Sequence, residues 1–293
     1  MLSYRKFTNE RDYSTMQRIV QENCLKTGHL FPQLHIGHLD FDRYPCGEDP
    51  HERTRIVSEG SSDLGFIVVP EDADDEFVIS VLPEFQYHLE EIIGYVEDNC
   101  YSEGTCFTVE SNSENEVLNA VLEEKGYVKA DYFRYCGICD LSELAATPQL
   151  AEGYSIRQTL KSDLEKRVEL FVLATGGLPT TLERYERMMD APLYKSTMDL
   201  VVQTQDGEVI AYCTLWDDPV SKIGLLEPLA CVEEHRRKGI MKSLLLYGMN
   251  ELKIRGTERV YVSTGGKNTA SQALYKSVGF KAVGTDCEWE KTL

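Results

Sequence analysis

No uninterrupted apolar stretch in these 293 residues approaches the roughly 20 needed to cross a bilayer. The opening Met1-Leu-Ser-Tyr-Arg-Lys6 lacks the apolar core of a secretory signal. These two absences argue against a membrane-spanning or exported chain and lead to the expectation of a cytoplasmic protein. No tract of Pro, Gly, Ser or Gln is present, and 42% hydrophobic with 27% charged residues is the composition of an ordinary globular protein, which sets disorder aside. The nine cysteines are odd in number and scattered among apolar neighbours, so a disulfide framework is not expected. Cys136-Gly-Ile-Cys139 has redox or metal spacing but stands alone in a strand-like stretch, and reads as a pair of buried structural thiols. Basic charge is also scarce, and unevenly so. Residues 1–150 hold 11 Lys+Arg against 29 Asp+Glu, whereas residues 151–293 hold 19 against 20. A first half with a balance of −18 repels nucleic acid and anionic membranes and could attract a cationic substrate, although acidity that merely keeps the protein soluble fits equally well.

The length suits two domains. Pro148 and Gly153 break a short linker, giving expected units of residues 1–146 and 153–293. Both open alike: Ser3 to Phe7 followed by Asn9-Glu-Arg-Asp12, and Tyr154 to Arg157 followed by Ser162-Asp-Leu-Glu, each read as a strand and then a capped helix. They also close alike. Asn115, Gly126 and Tyr127 lie 153 positions before Asn268, Gly279 and Phe280, in stretches that read as helix, glycine stop, strand. The fold class expected is α/β, of the α+β mixed-sheet kind, as two tandem domains, each a central twisted mixed sheet flanked by helices.

The second half carries the chemistry. Leu200 to Thr204 and Glu208 to Trp216 read as a hairpin around Gly207. The next strand, Ile223 to Val232, is almost continuously apolar yet holds Glu227 and Pro228 in its middle. A buried carboxylate must be desolvated unless it is paired or at a cleft, and a proline cannot donate to the ladder. Either Glu227 stands at a gap in the sheet, or the strand ends early and Glu227 is exposed. After it comes Arg236-Arg-Lys-Gly239-Ile-Met241, leading into apolar residues at helical spacing from Lys242 on. A basic loop entering a helix N-terminus, with a glycine that lets the main chain come close, is a site for a pyrophosphate. Arg259 to Thr264 reads as a further strand, and Asn268 can cap the helix that follows. In that helix Leu274 and Val278 are expected to bury, with Tyr275 turned toward a cleft.

Together the strand, Arg236-Arg-Lys-Gly239-Ile-Met241, Asn268 and Leu274-Tyr275 with Gly279-Phe280 resemble the GNAT acetyltransferase superfamily. The family's loop reads Gln or Arg, two residues, Gly, one residue, then Gly or Ala; Arg236 and Gly239 match it, and Met241 departs from the last small position. The resemblance covers residues 154–293 and only weakly the first half. It implies acetyl-CoA as cosubstrate, with no metal, held by Cys231, Val232, Arg236, Arg237, Lys238, Gly239, Ile240, Met241, Lys242 and Asn268. It further implies transfer of the acetyl group to a primary amine of a small molecule or peptide. An ammonium is almost fully protonated at pH 7, and freeing its lone pair costs about 4.6 kcal/mol, so a base is useful. Glu227 is the implied base, Tyr275 the implied acid for the departing thiolate, and the N–H groups around Cys231 and Val232 the implied oxyanion donors. Transfer is direct, since no nucleophile with an adjacent base is evident.

By the same offset, Leu122 stands where the second half has Tyr275, and the stretch from Val78 to Leu89 has neither Gly nor Arg in the loop position. The first half is therefore read as degenerate, completing a substrate cleft or a contact between domains. His29, His35, His38 and His51 cluster in its early loops, but no Asp, Glu or Cys completes a metal spacing, so these are read as surface or substrate-cleft histidines. The loop from Gly47 to Ser62 is expected to be mobile. A catalytically silent acyl-CoA-binding or interaction module is the alternative to an enzyme.

Overall fold

A computed structural model describes residues 1–28, 34–47, 50–69, 76–100, 104, 106–144 and 147–292. The first half runs β1 (Leu2–Lys6), α1 (Glu10–Thr27), α2 (Ile36–Phe41), α3 (Pro50–Arg53), β2 (Thr54–Glu59), β3 (Ser62–Val68), β4 (Glu76–Val81), α4 (Leu89–Asn99), β5 (Cys106–Asn112), α5 (Glu116–Glu124) and β6 (Val128–Asp140). The second runs β7 (Tyr154–Gln158), α6 (Leu164–Ala174), α7 (Leu182–Met188), β8 (Asp199–Thr204), β9 (Val209–Asp218), β10 (Ile223–Cys231), α8 (Ile240–Ile254), β11 (Arg259–Gly265), α9 (Thr269–Ser277) and β12 (Lys281–Thr292). Apart from α3 the two orders are the same. The duplication read from three residues extends to whole elements: β5 and β11, and α5 and α9, start and end 153 positions apart. The asparagines that open the two helices do the same work, Asn115 accepting from the Leu118 N–H and Asn268 from the Ser271 N–H.

The twelve strands of the described residues form one sheet in the order β1-β2-β3-β4-β5-β12-β6-β11-β10-β9-β8-β7. Exchanging the two halves reverses this order onto itself, so a pseudo-twofold axis passes between β12 and β6. The halves are contiguous in sequence but exchange their last strands: β12 pairs with β5 of the first half, and β6 with β11 of the second. Sequence boundaries therefore cut the chain where the sheet does not.

Alternation along the strands feeds the two faces. Ile56 and Phe66 join one core and their neighbours Val57 and Ile67 another. The shared face packs α1 and α2 of the first half (Tyr13, Met16, Ile19, Ile36, Leu39) against α6, α7 and the strands of the second (Phe171, Tyr185, Met188, Trp216, Ile223, Tyr261). On the opposite face each half keeps its own helices, α4 and α5 on one side, α8 and α9 on the other. The Gly47–Ser62 stretch differs from expectation: Thr54–Glu59 is β2, whose Ile56 and Val57 are fully buried, so apolar residues outweighed the Gly and Ser flanking them. Cys136 and Cys139 are buried free thiols on β6. His29 lies outside the described residues.

Candidate active site

The central parallel pair comes apart at one point. β10 is in register with β11 only from Ile223 to Leu225, opposite Arg259 to Tyr261. Its ladder with β9 shifts between Leu226 and Leu229, where Glu227 and Pro228 lie. A proline that cannot donate and a bulge open the sheet, as the sequence suggested. Trp216, buried on β9, donates from Nε1 to the Glu227 carbonyl at 2.7 Å and fixes the bulge.

The side chain of Glu227 enters a cavity of about 290 Å³ lined by residues from both halves: His38, Glu76, Glu110 and Arg134 from the first, Glu227, Tyr261 and Ser263 from the second. A second cavity of about 250 Å³ adjoins it, sharing Asp42, Glu76 and Val78. His38 Nε2 lies 2.9 Å from Glu227 Oε2. The helix that presents His38 comes close because of Gly37, where an added Cβ would fall 2.5 Å from the Trp216 ring. Its N-terminus is a capping box made of histidines: His35 Nδ1 accepts from the Gly37 N–H at 2.9 Å, and His38 Nδ1 accepts from the His35 N–H at 2.9 Å. The other nitrogen of His35 contacts the Ile223 carbonyl at 2.9 Å, so this short helix is tied to β10 at two points.

Burial alone would push Glu227 up, but the hydrogen bond from His38, together with the charge of Arg134, holds it below the ordinary carboxylate value. Its neighbours move the other way. Burial, then the charges of Glu110 and Glu288, push Glu76 up to about 8. Burial and then Glu110 push Asp286 up to about 7. Burial raises Glu110 as well, against the opposing charge of Arg134. Arg134 holds this group together, donating to Ser263 Oγ at 2.7 Å and facing Glu110 at 3.6 Å. One carboxylate held below its ordinary value among several pushed toward the neutral form makes this cavity the candidate site. Sequence reasoning named Glu227 but missed Glu76, Glu110 and Arg134, which come from strands with no local motif, and it mentioned His38 only as a cleft histidine.

The loop before α8 is where the sequence placed an anion cradle. Arg237 and Gly239 both take positive φ, 61° and 77°. Among the described residues, no carbonyl or side chain accepts from the N–H groups of Arg237, Lys238, Gly239, Ile240, Met241 or Lys242, and a Cβ at Gly239 would meet nothing within 4 Å. Those donors lie at the positive end of a 15-residue helix. The Met241 side chain packs against the apolar core beneath α8, so it leaves the cradle open. Arg236 donates from Nε to the Cys231 carbonyl at 3.0 Å and pins the loop to the end of β10. His35, His38 and the acidic cavity lie on the sheet face of α1 and α2, and the cradle opens at the N-terminus of α8, which packs on the other face.

Two expectations need correction. Tyr275 does not line an open cleft: it is 3% exposed, in the core shared with α8 and Phe280, while Leu274 is only partly buried. α9 turns its Tyr275 and Val278 edge inward because the ring offers more apolar area than Leu274 does. Its hydroxyl finds no hydrogen-bond partner among the described residues, and burial raises its pKa. The Val232 N–H is also already committed, donating to the Ile210 carbonyl at 3.0 Å. With Cys231 opposite Ala211 in an antiparallel ladder, that bond leaves the Cys231 N–H on the other edge of β10, facing the opening toward β11. Of the two, Cys231 keeps a free donor.

A doubled mixed sheet with a splayed central pair and a helix N-terminus at the splay is the fold of the tandem acetyltransferases. The whole chain superposes on a tandem GNAT protein from the clavulanic acid biosynthesis pathway with a TM-score of 0.70 at 14% identity, covering 99% of this chain and 98% of that one. It also superposes on a GCN5-related N-acetyltransferase from Sphaerobacter thermophilus with a TM-score of 0.66 at 16% identity, covering 99% and 95%. Residues 174–280 match the acetyltransferase (GNAT) family. Among curated relatives, an N-alpha-acetyltransferase of Sulfurisphaera tokodaii is 28% identical over 149 residues, 47% of this chain and 86% of the relative. A chloroplastic GCN5-related N-acetyltransferase of Arabidopsis thaliana is 29% identical over 98 residues, 30% of this chain; the match spans about a third of that relative's length, 34%.

Proposed function

We propose that the protein transfers an acetyl group from acetyl-CoA to a primary amine by direct attack, with the second half carrying the cosubstrate and the first half closing the acceptor cavity. The observation that carries this reading is the position of Glu227: an ionised carboxylate at the opening of the sheet, reached from the acidic cavity on one side and close to the cradle at the other end of β10. The free N–H groups of Arg237 to Lys242, with the cationic side chains of Arg237, Lys238 and Lys242, suit a pyrophosphate. Acetyl-CoA supplies the acyl group and a thiolate that departs. The amine enters the cavity beside Glu227, which accepts the proton that frees its lone pair; the Cys231 N–H meets the charge developing on the carbonyl oxygen, and Tyr275 donates to the departing sulfur. Burial keeps the Tyr275 hydroxyl protonated but makes it a weaker acid, so its part rests on proximity to the sulfur.

The test is calorimetric titration with acetyl-CoA followed by a thiol-release screen of primary amines. Saturable binding with release of CoA for some amine is expected. Binding with no release for any amine would make the protein a silent acyl-CoA-binding module, and no binding would remove the cradle altogether.

A further inference from the structure

We propose that His38, on the first half of the chain, is a positioning residue for the base on the second: its neutral imidazole donates from Nε2 to one oxygen of Glu227 and leaves the other to take the acceptor's proton. This inference rests on the transfer reading above and assigns the degenerate half a part in it. The geometry fixes the tautomer. His38 Nδ1 accepts the His35 N–H at 2.9 Å, so the ring proton must sit on Nε2, which lies 2.9 Å from Glu227 Oε2. A second ring proton would set two donors facing each other across the capping box and undo the start of α2. His38 is thereby held as a donor and excluded as the base, so the proton from the amine goes to the free oxygen of Glu227.

Titratable groups that share the cavity with Glu227 come from every side: His38 from α2, Glu76 from β4, Glu110 from β5, Arg134 from β6 and Tyr261 from β11. Arg134 is already engaged by Ser263 and Glu110, so the only neutral donor aimed directly at the carboxylate is His38 among the described residues. The hydrogen bond lowers the pKa of Glu227 against the burial that raises it, which keeps the base ionised at neutral pH.

The test compares His38→Leu with His38→Gln, whose amide N–H₂ can stand in for Nε2–H. For the leucine variant the acid limb of the kcat profile should move up by about one pH unit or more, the worth of a lost hydrogen bond to a charged group. On that acid limb kcat should fall by about tenfold at a fixed pH, with the affinity for acetyl-CoA unchanged. The glutamine variant should restore most of both. An unmoved acid limb in a folded leucine variant, or a uniform loss at all pH values with no rescue, would overturn the inference. The tautomer is read without activity, from long-range ¹H–¹⁵N correlations of the imidazoles assigned through the His38 variants. A His38 ring protonated at Nδ1 at pH 7 overturns the inference whether or not an acceptor amine has been found, whereas an Nε2–H ring with no turnover for any amine strikes at the transfer reading instead.

Discussion

Gly239 offers a sharp test of where the cosubstrate sits, because its backbone and its surroundings make opposite demands. Its φ of 77° lies in the left-handed region, which costs an ordinary L-residue about 1–2 kcal/mol. Yet a Cβ there would meet no atom within 4 Å, so a side chain fits without a clash. Asn tolerates this backbone better than most residues and has the shape of Asp. Gly239→Asn should therefore cost about 1 kcal/mol of stability and less than about tenfold in affinity for acetyl-CoA. Gly239→Asp adds a full negative charge. At about 4 Å from a phosphate and an effective dielectric near 20, the repulsion is about 4 kcal/mol, or roughly a thousandfold in affinity. Isothermal titration of both variants, with thermal unfolding to show that they are equally folded, separates the two effects. Affinities for the two variants within tenfold of each other would show that the pyrophosphate does not lie over Gly239, and the cradle reading would be wrong.

Tyr275→Phe should retain acetyl-CoA binding and lower kcat at least tenfold in a thiol-release assay; unchanged turnover removes Tyr275 from the acid role. Arg167 is fully buried on α6, donating to Asp199 Oδ1 at 2.8 Å and to Tyr185, with its guanidinium over the Tyr212 ring. Arg167→Met would leave Asp199 buried and uncompensated, and urea unfolding should show a loss of about 3–5 kcal/mol, partly recovered by adding Asp199→Leu. A loss below about 1 kcal/mol would mean the pair is not what holds α6 on the sheet. Burial holds His35 down to about 4 against an ordinary value of 6.5, even though the Ile223 carbonyl opposes it. The unfolded chain thus binds more protons below pH 6.5. This contribution of about 3 kcal/mol is complete above pH 6.5 and is lost as the pH falls through 4. Unfolding of the parent and of His35→Gln, measured from pH 7.5 to 4.5, should converge toward the acid end, and parallel curves would contradict the assignment.

Much of this was legible because it is local. A helix stopped by glycine and opened by an asparagine cap announces itself in a few residues, so the repeat read from Asn115 and Asn268 extended to whole elements. Glu227 and Pro228 stand out in an apolar run because both are costly there, and the structure opens the sheet at that point. The basic loop ending in Gly239 was legible for the same reason. Tyr275 was misjudged because helical periodicity says which residues share a face, not which face turns inward, and a tyrosine ring carries enough apolar surface to reverse the expectation. The Gly47–Ser62 stretch was misjudged by its Gly, Ser and charged residues, when Ile56 and Val57 at its centre had cores waiting on both faces of the sheet.

The sequence by itself determined the strands and helices, their doubling, and a basic loop with its glycine at the start of α8, since each depends on side chains and backbone groups within a turn or two of one another. Only the tertiary structure decided that the halves exchange their last strands, because pairing partners such as β12 and β5 are chosen by edges that meet after folding. Only it set His38, Glu76, Glu110 and Arg134 around Glu227. Those residues come from four separate elements of the first half, and what makes them a site is the desolvation and mutual charge that arise once they share one cavity.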